Sequence, residues 1–190
     1  MNNFIYALII LFGGASYVLG IVQMFKGKYS PSTFTRVIWV FLAVNSFAGL
    51  VLTTSSKSAL ALGIVFLLGN VAMCIASFWK GVRAMGKLEY FCILLLIISA
   101  IIWLLFDAPL VNLIISLFAH FVGGLPTYKK VLKNPKSESF GFWSLFFIAS
   151  LLSVFTTNLN SVSGILFPLY FVIFDGTMML LTLRKSNNTQ

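Results

Sequence analysis

Apolar residues run along this chain in long stretches separated by short polar turns. The runs cover residues 4–25, 37–55, 59–79, 90–106, 109–128, 141–158 and 163–183. Each approaches the ~20 residues that a helix needs to cross a bilayer. The pattern predicts an all-α integral membrane protein of seven transmembrane helices. Ser, Asn and Gly interrupt some runs, which helices tolerate where those residues face protein. The connections are short, so the chain reads as a single membrane domain over residues 1–190.

Composition agrees with the pattern. Of the 190 residues 59% are hydrophobic and only 9% charged, against about 25% charged in a soluble domain. Most of the surface is therefore expected to meet lipid. The net charge of +9 raises nucleic acid as a partner, but the charges do not form a basic face flanked by exposed aromatics. They cluster between the apolar runs. The first loop holds Lys26 and Lys28, and Arg36 stands at the start of the second helix. Lys80, Arg83 and Lys87 follow in the third loop, and Lys129, Lys130, Lys133 and Lys136 in the fifth. Arg184 and Lys185 close the tail, while the alternate loops hold only Lys57. Basic residues mark cytoplasmic loops, so the N-terminus is expected outside and the C-terminus in the cytoplasm. Met1-Asn2-Asn3 lacks the basic start of a cleaved signal, so the first helix is expected to be retained. Cys74 and Cys92 both fall inside apolar runs and read as small core residues, not as a disulfide or metal framework. Few cysteines and short tails suit a bacterial cytoplasmic (inner) membrane. The oligomeric state is left open.

The sequence also repeats itself. At an offset of 104, Gly20 meets Gly124, Lys26 meets Lys130 and Pro31 meets Pro135, and the same register pairs Trp39 with Trp143, Ser46 with Ser150 and Thr53 with Thr157. One extra residue in the sixth loop moves the offset to 105, where Phe66 meets Phe171, Met73 meets Met178 and Lys80 meets Lys185. Repeat one spans 4–80 and repeat two 109–185, with a linker helix at 90–106. Three helices make an odd crossing, so the linker lets both copies enter from the same side. The expected architecture is two parallel three-helix bundles (3+1+3), and parallel repeats place a substrate site at their interface near midplane.

This arrangement resembles the SWEET sugar facilitators and their PQ-loop (MtN3-saliva) relatives. The likeness rests on the 3+1+3 topology and on the segment Gly124-Leu125-Pro126-Thr127-Tyr128 through Pro135-Lys136-Ser137-Glu138-Ser139 to Trp143. It rests also on a polar residue at midspan of the third helix of each repeat, Asn70 and Asp175. The resemblance implies a transporter moving a small polar, sugar-like solute by alternating access, with Pro126 as a gating proline. Val22 stands where the first repeat would match Pro126, and the Pro-Gln pair is missing from both copies. Sugar-carrying members resemble asparagine at both midspan positions; here one is Asp175.

Asp175 lies where a charged Asp costs about 2.5–3.5 kcal/mol to insert, so it suits proton exchange or pairing with a cationic solute. Asn70 is its counterpart, expected to face it across a central pocket. His120 stands at midspan of the fifth helix, opposite Ser16 in the repeat register, and a His120–Asp175 proton relay is one expectation. The alternative for each is interhelical packing. Ser46, Ser150, Thr54 and Asn158 on the second helices complete the substrate-binding candidates. Trp39 and Trp143 read as interface anchors. No metal cluster, catalytic carboxylate pair or activated nucleophile is legible, so no cofactor and no enzymatic activity are expected. The expected partners are the lipid bilayer, a small polar solute and protons. Two further functions stay open: a proton-coupled carrier of an amino acid, vitamin or other polar metabolite using Asp175, and a non-transporting receptor of the same fold.

Overall fold

The computed structural model describes residues 2–28, 31–83, 86–157 and 161–184. They form seven α-helices: α1 (Asn2–Phe25), α2 (Thr33–Thr53), α3 (Lys57–Lys80), α4 (Lys87–Phe106), α5 (Pro109–Lys133), α6 (Phe140–Thr156) and α7 (Val162–Leu183). Six are long and apolar enough to cross a membrane, and α6, at 17 residues, is shorter. A 3-10 turn at Pro135–Ser137 joins α5 to α6.

Polar residues at the run edges explain the boundaries. Serine hydroxyls cap four helices by accepting the exposed backbone N–H three residues on. The pairs are Ser32 with Thr35, Ser56 with Ala59, Ser139 with Phe142 and Ser161 with Gly164. The Ser32 cap starts α2 four residues earlier than the apolar run at 37 predicts. Arg36, expected at the very start of the second helix, thus sits within it and is buried. Likewise α5 continues to Lys133, past the predicted end at 128, because Lys129, Lys130 and Lys133 form its last turns. Cations suit that end of a helix. Pro109 opens α5 at its first turn, where no N–H is needed.

Helix neighbours follow a regular plan. α3 packs between α1 and α2, and α7 packs between α5 and α6. Across the middle, α1 meets α6 and α2 meets α5, while α4 lies outside against α5 and α2. Tertiary hydrogen bonds show which ends lie together. Gln23 Nε2 donates to Ser139 Oγ (2.8 Å), Thr35 Oγ1 to Glu89 Oε1 (2.8 Å), and Arg184 to the Leu132 carbonyl. Backbone bonds between Thr33 and Val82 and between Val82 and Pro31, both 2.9 Å, tie the start of α2 to the end of α3. These contacts gather the ends of α1, α3, α5 and α7 with the starts of α2, α4 and α6; this is the basic end of the molecule. The opposite ends meet through hydroxyl groups. Successive helices therefore alternate in direction.

The core between them is mainly aromatic and aliphatic, with Phe66, Phe167, Phe171 and Phe174 among its buried members. α4 contributes little to it: only Cys92 and Ser99 of that helix are buried. Its Leu94, Ile97, Ile101, Leu104 and Leu105 are exposed, as expected of a face that meets acyl chains. Cys74 and Cys92 are both buried free thiols.

Candidate functional site

Where α1, α2, α3, α5, α6 and α7 converge, they enclose a chamber of about 20 Å³, the room of about one water molecule. Tyr17, Arg36, Asn70, His120 and Asp175 give it polar groups, and its walls include Trp39, Trp143, Phe146 and Phe174. Asn70 and Asp175 are 1% and 3% exposed. Asn70 Nδ2 donates to Tyr17 Oη (3.0 Å) and to the Phe66 carbonyl one turn back (2.8 Å). Its Oδ1 has no partner, nor has Asp175 Oδ2. Both sequence candidates thus reach one cavity, as the repeat register leads one to expect, though the walls are far more aromatic than a polar pocket requires.

The two tryptophans join them, against the sequence expectation. Trp39 and Trp143 are 5% and 4% exposed, both line the chamber, and neither indole Nε1 has a hydrogen-bond partner. Interface anchoring does not describe them. Gly123 makes room for one: a methyl group there would come within 2.9 Å of Trp39 Nε1. The pairing Trp39 with Trp143, at the offset already visible in the sequence, was the signal for this site. Tyr17 and Arg36 had no such signal.

Unpartnered polar atoms in a buried space cost about 1–3 kcal/mol each. Two indole N–H groups and the Asn70 Oδ1 and Asp175 Oδ2 oxygens thus stand unpartnered around one small cavity. His120 is also here, boxed by Trp39 (4.6 Å between ring centroids), Phe66, Phe171 and Phe174. Its Nδ1 lies 2.8 Å from Tyr170 Oη, and His120 and Asp175 line the same chamber with no direct hydrogen bond between them among the described residues.

The remaining candidates lie elsewhere. Ser46 is buried in α2 but does not line the chamber, and Ser150 Oγ donates to the Phe146 carbonyl of its own helix (2.9 Å). Thr54 Oγ1 bonds Ser161 Oγ (2.9 Å) at the hydroxyl end. Asn158 lies outside the described residues. Pro126 lines a vestibule at the basic end.

That vestibule, of about 160 Å³, is walled by Thr35, Glu89, Pro126, Thr127, Lys130 and Glu138 among others, and it reaches down to Arg36 and Trp39. These two residues line both spaces, so they form the floor of one and the roof of the other. The guanidinium of Arg36 sits 4.7 Å from the Trp39 ring centroid, within cation–π range. Glu138 pairs with Lys130 at 3.1 Å. Burial pushes the Glu138 carboxyl above its ordinary range, with Lys130 and Arg36 drawing it back.

At the opposite end, hydroxyl groups of the described residues clasp α2, α3, α6 and α7 together. Thr157 Oγ1 lies 3.0 Å from both Ser56 Oγ and Ser58 Oγ, and Ser163 Oγ donates to the Thr53 carbonyl (2.8 Å). The Ser58–Thr157 and Ser163–Thr53 contacts correspond through the repeat offsets, so the clasp is reciprocal. No family model, curated protein or solved structure matches the chain.

Proposed function

We propose that this protein is a membrane carrier in which two parallel three-helix repeats, α1–α3 and α5–α7, are joined by α4 and rock about a shared central site. A small polar solute, sugar-like by the resemblance noted above, passes by alternating access. The observation that carries this reading is the convergence of Trp39, Trp143, Asn70 and Asp175 on one chamber, each with an unpartnered buried polar atom. They fall into two pairs under the repeat register, so both halves contribute alike. The helix plan supports the repeat: α1–α6 and α5–α2 are corresponding contacts, as are α3 between α1 and α2 and α7 between α5 and α6. A clasped end opposite a vestibule is the asymmetry of a carrier open toward its basic side. With seven crossings and the positive-inside rule, that side is the cytoplasm and the N-terminus is outside.

Asp175 favours a second reading, a proton-coupled carrier of an amino acid, vitamin or other polar metabolite. Its buried carboxyl has an oxygen without a partner, as a coupling site requires. A receptor of the same fold would hold its ligand without moving it.

Purified protein in liposomes separates the three. Uptake of labelled sugars and amino acids is measured with and without a pH gradient, for the wild type and Asp175→Asn. Flux that ignores both the gradient and the substitution supports the facilitator; flux that needs both supports proton coupling. Binding with no flux of any solute refutes the carrier.

A further inference from the structure

Away from the chamber, the outer surface between α2 and α4 is grooved. The groove holds about 280 Å³, and all seven residues that line it are apolar. Phe34, Val37 and Phe41 come from α2, and Ile93, Leu96 and Ile97 from α4. Phe34, Phe41 and Ile97 are exposed, so the groove opens away from the core. It starts at Phe34 in the first turn of α2 and runs along α4 to Ile97. At 1.5 Å per residue, Ile97 lies about 15 Å from the start of α4. That is half of the ~30 Å hydrocarbon core, the depth of one leaflet.

Cations mark the mouth of the groove at the basic end. The backbone bonds that tie Val82 to Pro31 and Thr33 set Arg83 beside the first turn of α2, and Lys87 opens α4. Both are exposed. Neither joins an ion pair among the described residues, where Lys130 pairs with Glu138. Glu89 is the one acidic residue of α4, and both of its oxygens are engaged. Oε1 accepts from Thr35 Oγ1 (2.8 Å) and Oε2 from the Gly86 N–H (3.0 Å). Thr35 and Glu89 line the vestibule, while Phe34 and Ile93 line the groove. The Thr35–Glu89 bond thus stands between the two spaces, and Arg83 and Lys87 outnumber the one carboxylate near them.

We infer that this cleft binds an anionic phospholipid, with one acyl chain in the groove and its phosphate at Arg83 and Lys87. The chain alone gives no preference, because every lipid of a bilayer offers one. The headgroup decides. Basic residues at a membrane surface attract anionic lipids, and two of them favour such a headgroup by about tenfold or more over a zwitterionic one. The position also gives the lipid a role. α4 buries only Cys92 and Ser99, and the groove is the gap where it stands off α2. A chain lodged there packs the linker helix against α2, at a place separate from both chamber and vestibule. The inference is independent of any solute the protein moves.

The test uses the full chain, stripped of lipid in detergent and mixed with phosphatidylglycerol or with phosphatidylcholine of the same acyl chains. Native mass spectrometry counts bound lipid and chains per particle, and a thermal titration reads the unfolding midpoint. Phosphatidylglycerol is expected to bind at least tenfold more tightly and to raise the midpoint where phosphatidylcholine at the same concentration does not. Arg83→Gln/Lys87→Gln should lose most of that preference, and Ile97→Trp, which fills the groove, should retain less lipid. Lys26→Gln/Lys28→Gln should behave as the wild type, because α1 makes no contact with α4. Glycerol 3-phosphate should leave the midpoint unchanged; a shift equal to that of the lipid overturns the acyl-chain part of the site. Equal binding of the two lipids by the wild type overturns the inference without recourse to any variant. So does an undiminished preference in a folded Arg83→Gln/Lys87→Gln. A two-chain particle that Ile97→Trp dissociates, with no lipid preference, overturns it in favour of a second copy in the groove. None of these failures touches the carrier, which the uptake assay judges separately.

Discussion

Single polar atoms decide much in a molecule with so few of them. Asn45 is the clearest structural case. Its Nδ2 lies within 2.6–2.9 Å of Ser99 Oγ, Asn112 Oδ1 and Ser116 Oγ, joining α2, α4 and α5 in one buried cluster. Interhelical hydrogen bonds in membranes average about 0.6 kcal/mol, up to roughly 1.7. Asn45→Ala removes an amide NH2, with its two N–H donors, from among three neighbouring oxygens, so a loss of about 1–3 kcal/mol is expected in a reversible detergent-unfolding titration. Thr182→Ala is the control, because its half-buried hydroxyl donates to the Met179 carbonyl of its own helix, and it should leave the midpoint unchanged. Neither this cluster nor Tyr17 was legible in the sequence. A buried Asn in an apolar run looks the same whether it faces a ligand or another helix, and only packing separates Asn45 from Asn70. Trp39 and Trp143 were misread for a related reason: a tryptophan near a helix end is well explained by the lipid interface until its neighbours are known. Asp175 was legible because its cost in lipid leaves few alternatives.

At the scale of helices, close packing of α3 on α1 sets the chamber wall. A methyl group added at Gly69 would meet the Tyr17 ring at 2.1 Å, too close for any side-chain adjustment short of moving the ring. Tyr17 Oη is the acceptor for Asn70 Nδ2, so Gly69→Ala should displace both and lower solute uptake about tenfold or more, on the scale of one misplaced contact. Gly14→Ala, with nothing within 4 Å, should transport as the wild type does. The clasp at the ends of α2, α3, α6 and α7 gives a second prediction. Ser58 and Thr157 hydroxyls are 3.0 Å apart, so a Ser58→Cys/Thr157→Cys pair, made with Cys74 and Cys92 replaced by alanine, should form a disulfide on oxidation. Uptake should then fall to background and return with reductant. Undiminished uptake by the oxidised pair would show that this end need not open. Helix number, order and approximate bounds were readable from apolar run length alone. The starts of α2 and the end of α5 were not, because capping serine, threonine and lysine extend a helix beyond its apolar part.

For the molecule as a whole, everything turns on whether α6 crosses the membrane with the others. At 17 residues it is about 25 Å long, short of the ~30 Å hydrocarbon core. Length alone would allow it to stop within the bilayer. Its ends argue against that. At its start, Ser139 accepts from Gln23 and the Phe142 carbonyl accepts from Ser16 Oγ, both on α1; just past its end, Thr157 meets Ser56 and Ser58 at the start of α3. α1 and α3 each have 24 residues, enough to span, and α6 reaches both the basic end of the first and the hydroxyl end of the second. A short helix tied at both levels crosses by local thinning of the bilayer or by letting capping residues reach the interface, at a cost of fractions of a kcal/mol per Å. On the seven crossings proposed, the termini lie on opposite sides. A tag at the C-terminus should therefore be protected in intact cells and exposed after permeabilisation, and an N-terminal tag should be accessible from the start. Were α6 to turn back, both tags would report the same side, α7 would run opposite to α3, and Asn70 and Asp175 could not occupy corresponding places in one chamber.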